Sequence, residues 1–566
     1  MSNETHPAWT GSPRGTRRRF LTSAGALMAA TALPLSAVEL LAACGSTTAT
    51  RNAGSGPTTG GHLVNGIQAD ARNLIPSMTA DVLSQGISAM MFTPVIWAYH
   101  DGTYAPALAE AMPKAGPDKK TFTFKLRSGL RWNDGTPITA DDVVFTYRLL
   151  YDPAYEQVNS PFRSQWVSNV ASVVAMDDRT VQVKTKQIYA LYLDLFSSYA
   201  IVPKHVLGAL SPSQINTTPF REAPNVSFGP FRFGRWDKGQ QIVLERQPGY
   251  TLSPVHLDRI VYRVFGDVTG VANGLKTDEV DFGGVDLSLV DSLRLPSLDL
   301  IPIPSVGTYL VAFQMDPSKS GSKFFGDRRV RQALAYGADR KKILKAVLFG
   351  YGSINNSMVP LSSWGHDANV TPTYDYNPRK AAQLLDAAGW SMGSSRIREK
   401  GGQPFQFDLL YIVGSPTSTG MVEALQQQWK GLGVDVTLKG VSQTEAVNIL
   451  ATTRDFDATF VEFSFQADPE YPFELLFSSA ARKTGGFNIS GYDNPEIDKG
   501  LAQGSQLLDQ NQRKPIYNRL QQIVAQDVPM MPLVAPQILY AANKRVRDAV
   551  YRNWIDLSRV YVTDRK

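Results

Sequence analysis

The stretch from Tyr309 to Leu348 constrains the fold of this chain more than any other. Tyr309–Phe313 is a short apolar run, long enough for one strand buried on both faces. A polar, glycine-containing loop follows. Asp327 then stands where a helix N-cap belongs, with Val330, Ala333 and Leu334 on one helical face. Gly337 is placed to end that helix and Asp339 to cap the next, in which Ile343, Leu344, Val347 and Leu348 form a broad apolar stripe. The residues read as a strand and two helices of an α/β core.

At 566 residues the chain is too long for one core, and 43% hydrophobic against 19% charged residues describes an ordinary globular protein. The formal net charge of +6 is scattered, with no basic run beyond Arg17–Arg19, which argues against a nucleic-acid partner. The N-terminus is more informative. Thr16-Arg17-Arg18-Arg19-Phe20-Leu21 precedes a mostly apolar, alanine-rich stretch to Ala43, which Pro34 and Glu39 interrupt, against a membrane span. Leu41-Ala42-Ala43-Cys44-Gly45 places small residues before a cysteine. The pattern resembles bacterial lipoprotein signals exported by the twin-arginine route, with Thr22 where a lysine often follows the Phe-Leu. That resemblance implies a signal peptide over 1–43, lipidation of Cys44, and a chain anchored to the outer face of the bacterial cytoplasmic membrane. Residues 44–60, rich in Ser, Thr and Gly, suit a flexible tether. Cys44 is the only cysteine, so an internal disulfide and a thiolate metal site are both excluded.

Along the remaining chain, Phe122, Phe124 and Leu126 alternate with polar residues as in a half-buried strand, and Thr180–Lys184 repeats the pattern. Leu130–Leu150 carries a turn at Asn133-Asp134-Gly135 and a capping-box start at Thr139 and Asp142. Asp141 and Asp142 fall in the first helical turn, where negative charge interacts favourably with the helix dipole, and read as structural. Asn225–Tyr250 reads as a hairpin with Ile242 and Leu244 inward. Asp258–Val290 reads as strand, helix and strand. Asn377-Pro378 starts a helix striped by Ala381, Leu384, Leu385 and Ala388. Strands are expected at 405–412 and 434–438 with a helix over 420–431 between them, a further helix after Asn494-Pro495, and another lined by Ile516, Leu520, Ile523 and Val524. Pro529–Ala535 is short and apolar.

Several of these segments carry a resemblance. Asp327 to Arg340 spells D-x-R-V-R-Q-A-L-x-x-x-x-D-R, Leu130 to Phe145 spells L-x-W-x-D-G-x-P-x-T-A-D-D-V-V-F, and Gly229-Pro230-Phe231 matches a further motif. Together, from about 62 to 540, they resemble the peptide/nickel/opine class of ABC-transporter solute-binding proteins. The resemblance implies an α/β, two-lobed periplasmic-binding-protein fold of type II, with hinge strands and an extra small domain in the first lobe. The expected division is lobe I over 61–304 with a subdomain at about 100–202, lobe II over 305–530, and a return to lobe I over 531–566. It implies a monomeric binding protein, not an enzyme, that needs no cofactor and passes a peptide or other small solute to permease subunits.

Family members contact ligand through a segment like D-Y-D-x-x-x-x-G-W-x-x-D-x-x-D-P, here Asp455–Pro469. Counted from Asp457, Phe463 takes the tryptophan position, Glu462 the glycine, and Gln466 the acid that clamps a peptide's α-ammonium. Aligned from the Asp-Pro, Asp468 is the second aspartate, and a shift would bring it to the clamp. An amide at the clamp forfeits the charge-assisted bond, which Glu462 could replace. Phe460, Phe463 and Phe465 alternate and fit a stacking surface or ordinary strand packing equally. Tyr309 and Asp81 complete the candidate ligand-contacting set. The competing reading, an exported hydrolase, lacks a Gly-x-Ser-x-Gly elbow, a His-Glu-x-x-His helix and a phosphate loop. Ser320-Gly321-Ser322-Lys323 matches S-x-x-K without its partner motifs. Within the binding class, oligopeptide leads, with oligosaccharide, opine or metal chelate as alternatives.

Overall fold

A computed structural model describes residues 57–563, apart from 58, 80 and 552–554. Cys44, the twin arginines and most of the expected tether lie outside the described residues. The architecture is α/β, built on a 12-stranded mixed sheet. Its strands are β1 (His62–Ile67), β2 (Phe231–Asp237), β3 (Gln241–Arg246), β4 (Arg259–Val264), β5 (Phe282–Val285), β6 (Leu298–Pro304), β7 (Gly307–Phe313), β8 (Gln406–Ile412), β9 (Asp435–Val441), β10 (Ala458–Ser464) and β11 (Met530–Asn543). The order is β9-β8-β10-β7-β11-β5-β1-β4-β3-β2, with β6 and the short Gly352–Ser353 segment also on β11.

β11 joins the two lobes. Its first part, Met530–Val534, pairs with β7, and its second, Gln537–Asn543, pairs with β6. The chain between β6 and β7 passes at the same level, where the Ser305 amide donates to the Pro536 carbonyl. Two antiparallel strands thus cross together from one lobe to the other, and Pro302, Pro304, Pro532 and Pro536 stand within them. On the β6 side, one large core gathers Phe122, Trp132, Tyr147, Trp166 and Phe196. On the other side, β7 separates two cores. Val311 and Phe313 face Phe325, Phe407 and Trp429, while Leu310 and Ala312 face Phe473, Phe477 and Tyr517. This is the strand buried on both faces that the Tyr309–Phe313 run predicts.

Local signals place most helices. Asp327 accepts from the Arg329 amide (2.9 Å), Asp339 from Lys342 (2.9 Å), Asn377 from Lys380 (3.0 Å) and Asn494 from Glu496 (3.1 Å). Thr139 and Asp142 form the expected reciprocal cap, and Asp142 also accepts from the Lys204 amide (2.9 Å). The helix expected from Gly420 begins earlier, at Pro416, because Ser415 caps it. In the helix Gln510–Asp527 the buried face carries Arg513, Tyr517 and Gln521 beside Leu520 and Val524, and Ile516 and Ile523 are only half-buried. Polar groups occupy that face because they pair with buried acids and carbonyls elsewhere.

Arginines of the Asp327–Arg340 motif are structural. Arg331 is buried and donates to the carbonyls of Phe325 (2.5 Å), Asp527 (2.6 Å) and Val528 (3.1 Å). Arg340 donates to the carbonyls of Asn355, Pro532 and Thr373. Burial lowers both guanidinium groups to about 10.

The Gly229-Pro230-Phe231 motif also has a packing cause. A Cβ on Gly229 would lie 2.4 Å from the Met91 carbonyl carbon and 2.6 Å from its oxygen, beside the bond from the Phe231 amide to the Met90 carbonyl. Gly229→Ala is expected to cost about 1–3 kcal/mol through this backbone clash. Urea denaturation measures it, and a loss within 0.5 kcal/mol (roughly the surface-substitution range) would show that the strand start accommodates a side chain.

Candidate functional site: a cavity between the lobes

A cavity of about 760 Å³ lies between the segments 82–199 and 466–506. One wall is formed by Gln85, the helix Arg163–Asn169 through Ser164, Gln165 and Asn169, the loop with Gln187 and Tyr189, and then Ser198 and Tyr199. The other wall is formed by Gln466, the helix Glu470–Phe477 through Glu470, Tyr471 and Glu474, and the segment from Leu501 to Gln506. A smaller space of about 270 Å³ shares Ala190 and Leu191 with it and is lined further by Tyr104, Tyr192, Asp468 and Arg513. The lobes touch beside these spaces. Gly102, at φ +76°, lies so close to lobe II that a Cβ would meet Trp364 at 2.8 Å and Ala467 at 3.1 Å, and Lys119 donates to the Gln506 carbonyl at 3.4 Å.

The lining is rich in neutral polar groups. Gln165 donates to the Tyr189 hydroxyl (3.0 Å) and accepts from Tyr199 (3.1 Å), holding two rings in place. Amides and tyrosyl hydroxyls both donate and accept, which suits a ligand presenting alternating N–H and C=O groups. The volume falls within the roughly 300–1,000 Å³ of small-molecule sites.

The charges are lopsided. Arg513 forms a fork with Asp468 (2.5 and 2.8 Å) and bonds Glu470 (2.5 Å), whose carboxylate also accepts from Tyr517 (2.8 Å). Burial raises the Asp468 and Glu470 carboxyls, and the guanidinium opposes that rise. Across the smaller space, Tyr104 donates to Asp194 (2.6 Å). Burial, opposed by that hydrogen bond and aided by the charge of Asp468, pushes the Asp194 carboxyl up to about 7. Glu474 stands apart. It lines the main cavity with an exposed side chain, and no hydrogen bond or ion pair reaches that carboxylate among the described residues.

The structure distributes the sequence-based candidates unevenly. Gln466 lines the main cavity. Asp468 borders the smaller one with both oxygens held by Arg513, so it is not free to clamp an ammonium. Glu462 and Tyr309 face each other on β10 and β7 and share a hydrogen bond near the crossing strands, away from the cavity lining. Phe463 and Phe465 stack on each other (6.0 Å), with Phe465 buried and Phe487 against Phe463. Neither lines the cavity, which favours strand packing. Asp81 caps the helix Val82–Ala89 through the Ser84 amide (2.8 Å), and only its neighbours Val82 and Gln85 reach the cavity. Sequence reasoning missed Glu474, Gln165, Tyr189, Asp194 and Arg513. One signal was present: Glu474 is a lone acid in the otherwise apolar end, PFELLF, of its helix.

Residues 103–484 match the model of the bacterial extracellular solute-binding proteins, family 5 Middle. The chain belongs to family 5. Among curated relatives of this family 5 protein, the oligopeptide-binding protein AppA of Bacillus subtilis is 27% identical over 94% of this chain and 97% of its own. The structure of that AppA in complex with a nonapeptide has a TM-score of 0.69 at 26% identity, covering 90% of this chain and 100% of the other. The ABC transporter substrate binding protein CtaP from Listeria monocytogenes has the same fold, with a TM-score of 0.77 at 24% identity over 90% of this chain and 100% of CtaP. The two-lobed fold of this family 5 member is thus the type II binding-protein fold, and its family is one of extracellular solute binding.

Proposed function

We propose that this protein captures oligopeptides between its two lobes and delivers them to the permease subunits of an ABC importer. The observation that carries this reading is the 760 Å³ inter-lobe cavity, walled by amides and tyrosines suited to peptide backbone, in a family 5 fold whose AppA relative is described with a nonapeptide. Gln466 contacts ligand as a neutral donor and acceptor, and Asp468 acts from beneath as the fixed partner of Arg513. Binding stabilises the closed arrangement, and closure is what the importer recognises. The division of the chain into lobe I (61–304), lobe II (305–530) and a C-terminal return (531–566) goes with this reading, with the crossing of β6, β7 and β11 in its support. So do a monomeric state, export by the twin-arginine route and a lipid anchor on Cys44, supported by the Thr16–Gly45 pattern.

Native mass spectrometry of purified residues 45–566, followed by denaturation and identification of what was carried along, tests the proposal. A ladder of mixed peptides is expected. A single non-peptide mass would overturn it and mark a specialised solute site.

A further inference from the structure

Resting on the reading of the large cavity as a peptide site, we propose that a recess in its side receives one aliphatic side chain of the ligand, so that the protein favours peptides carrying a leucine-sized apolar residue. Three observations converge on it. First, the recess is continuous with the site. It holds about 80 Å³ and shares Gln85, Phe162, Ser197 and Ser198 with the 760 Å³ space, so a side chain reaches it from a backbone lying in the larger cavity. Second, most of its other walls are apolar. Phe92 and Pro94 line it and are buried, Ala89 and Ala200 line it too, and no charged residue does so among the described residues. The rings are braced, Phe92 edge-on to Phe220 at 6.4 Å and Phe162 edge-on to Tyr199 at 4.9 Å. Third, polar groups on its walls are turned to the protein. The Ser88 hydroxyl donates to the Leu74 carbonyl (3.0 Å), and the Gln85 side-chain amide to the Thr79 carbonyl (3.1 Å). The amides and hydroxyls of the larger cavity bond any peptide backbone, whereas a guest in the recess finds mainly apolar contact. A water needs roughly 10–15 Å³ of such space, so several fit, and an apolar group that displaces weakly held ones gains affinity. A polar side chain there gives up its hydration for no partner.

Titration calorimetry tests this with alanine pentapeptides carrying leucine, asparagine or alanine at the centre, asparagine matching leucine in shape without being apolar. Wild type is expected to bind the leucine peptide about 10–100-fold more tightly than the alanine peptide, at roughly fourfold per buried methylene, and the asparagine peptide no better than alanine. Ala89→Leu and Ala200→Leu fill the recess from two of its walls. Each is expected to bring the leucine peptide down to the level of the alanine peptide and to leave the alanine peptide's affinity unchanged. A leucine advantage that persists in a variant with the wild-type melting temperature overturns the assignment. Wild type alone supplies a second readout that holds even where neither variant folds. The same pentapeptide with a diazirine analogue of leucine at its centre, irradiated on the protein, is expected to attach within residues 85–94, at Phe162 or within 197–200, as located by tandem mass spectrometry. Attachment confined to other segments overturns the assignment as well. If peptides bind but leucine gives no advantage, the inference fails while the peptide reading stands. If no peptide binds wild type, both fall.

Discussion

Replacing Arg513 by methionine is expected to cost about 3–5 kcal/mol of stability at neutral pH, because it leaves two buried carboxylates without a counter-ion. Asp468 and Glu470 are both buried, and Arg513, also buried, spans them with three short bonds. The guanidinium further lies over the rings of Trp364 and Tyr517, at 5.3 and 5.2 Å, so the variant also loses packing. The pH dependence has a definite sign. Burial already raises both acids, and the guanidinium is what opposes the rise. Without it, the native state holds protons to a higher pH than the unfolded chain, whose carboxyls titrate near ~4. Stability of the variant therefore falls as pH rises above that range, and the deficit shrinks on acidification. Urea denaturation at pH 5 and pH 7.5 measures both effects. Asp468→Asn and Glu470→Gln added to R513M should restore much of the loss at pH 7.5. A deficit that ignores pH would show that packing, not charge, is what Arg513 supplies.

Arg331→Met is expected to cost about 3 kcal/mol, from buried carbonyls left without donors at 1–3 kcal/mol each. Arg331 satisfies the C-terminal carbonyls of the helix Gln510–Asp527 and the end of the helix Ser322–Phe325 together. It also secures Val528, a buried β-branched residue held at φ +48°, where such side chains are rarely found. Val528 lies two residues before β11, so the damage should concentrate at the entry to the crossing strand. Hydrogen exchange should rise most at residues 526–531. Arg331→Lys restores only part of the stability, since one ammonium cannot reproduce a fork reaching several carbonyls. Unchanged exchange there would sink the assignment.

What the sequence made legible was local. Asp327, Asp339, Asn377 and Asn494 announce helix starts because the bond each makes is to an amide two or three residues on. Phe122, Phe124 and Leu126 announce a strand because pleating alone sorts them. The site is not local. Arg513 and Asp468 lie 45 residues apart, and the walls of the cavity come from segments near 165, 189, 471 and 506. No periodicity encodes such meetings. Asp468 looked available as a clamp because its counter-ion was invisible in the string, and Tyr309 and Glu462 looked like ligand contacts when their nearest business is with each other. The family resemblance supplied the lobes. It could not say which acid in them was left unpaired.

The paired crossing of β6, β7 and β11 has a mechanical corollary. Pro302, Pro304, Pro532 and Pro536 have no amide hydrogen and a fixed φ. The joint therefore contains few ladder bonds to break and few torsions free to turn. Four residues of the joint are thereby fixed in φ, and any movement there falls on the torsions they leave free. Those torsions are few, so the crossing strands hold their place relative to the close contact of Gly102 with Trp364 largely through backbone stiffness.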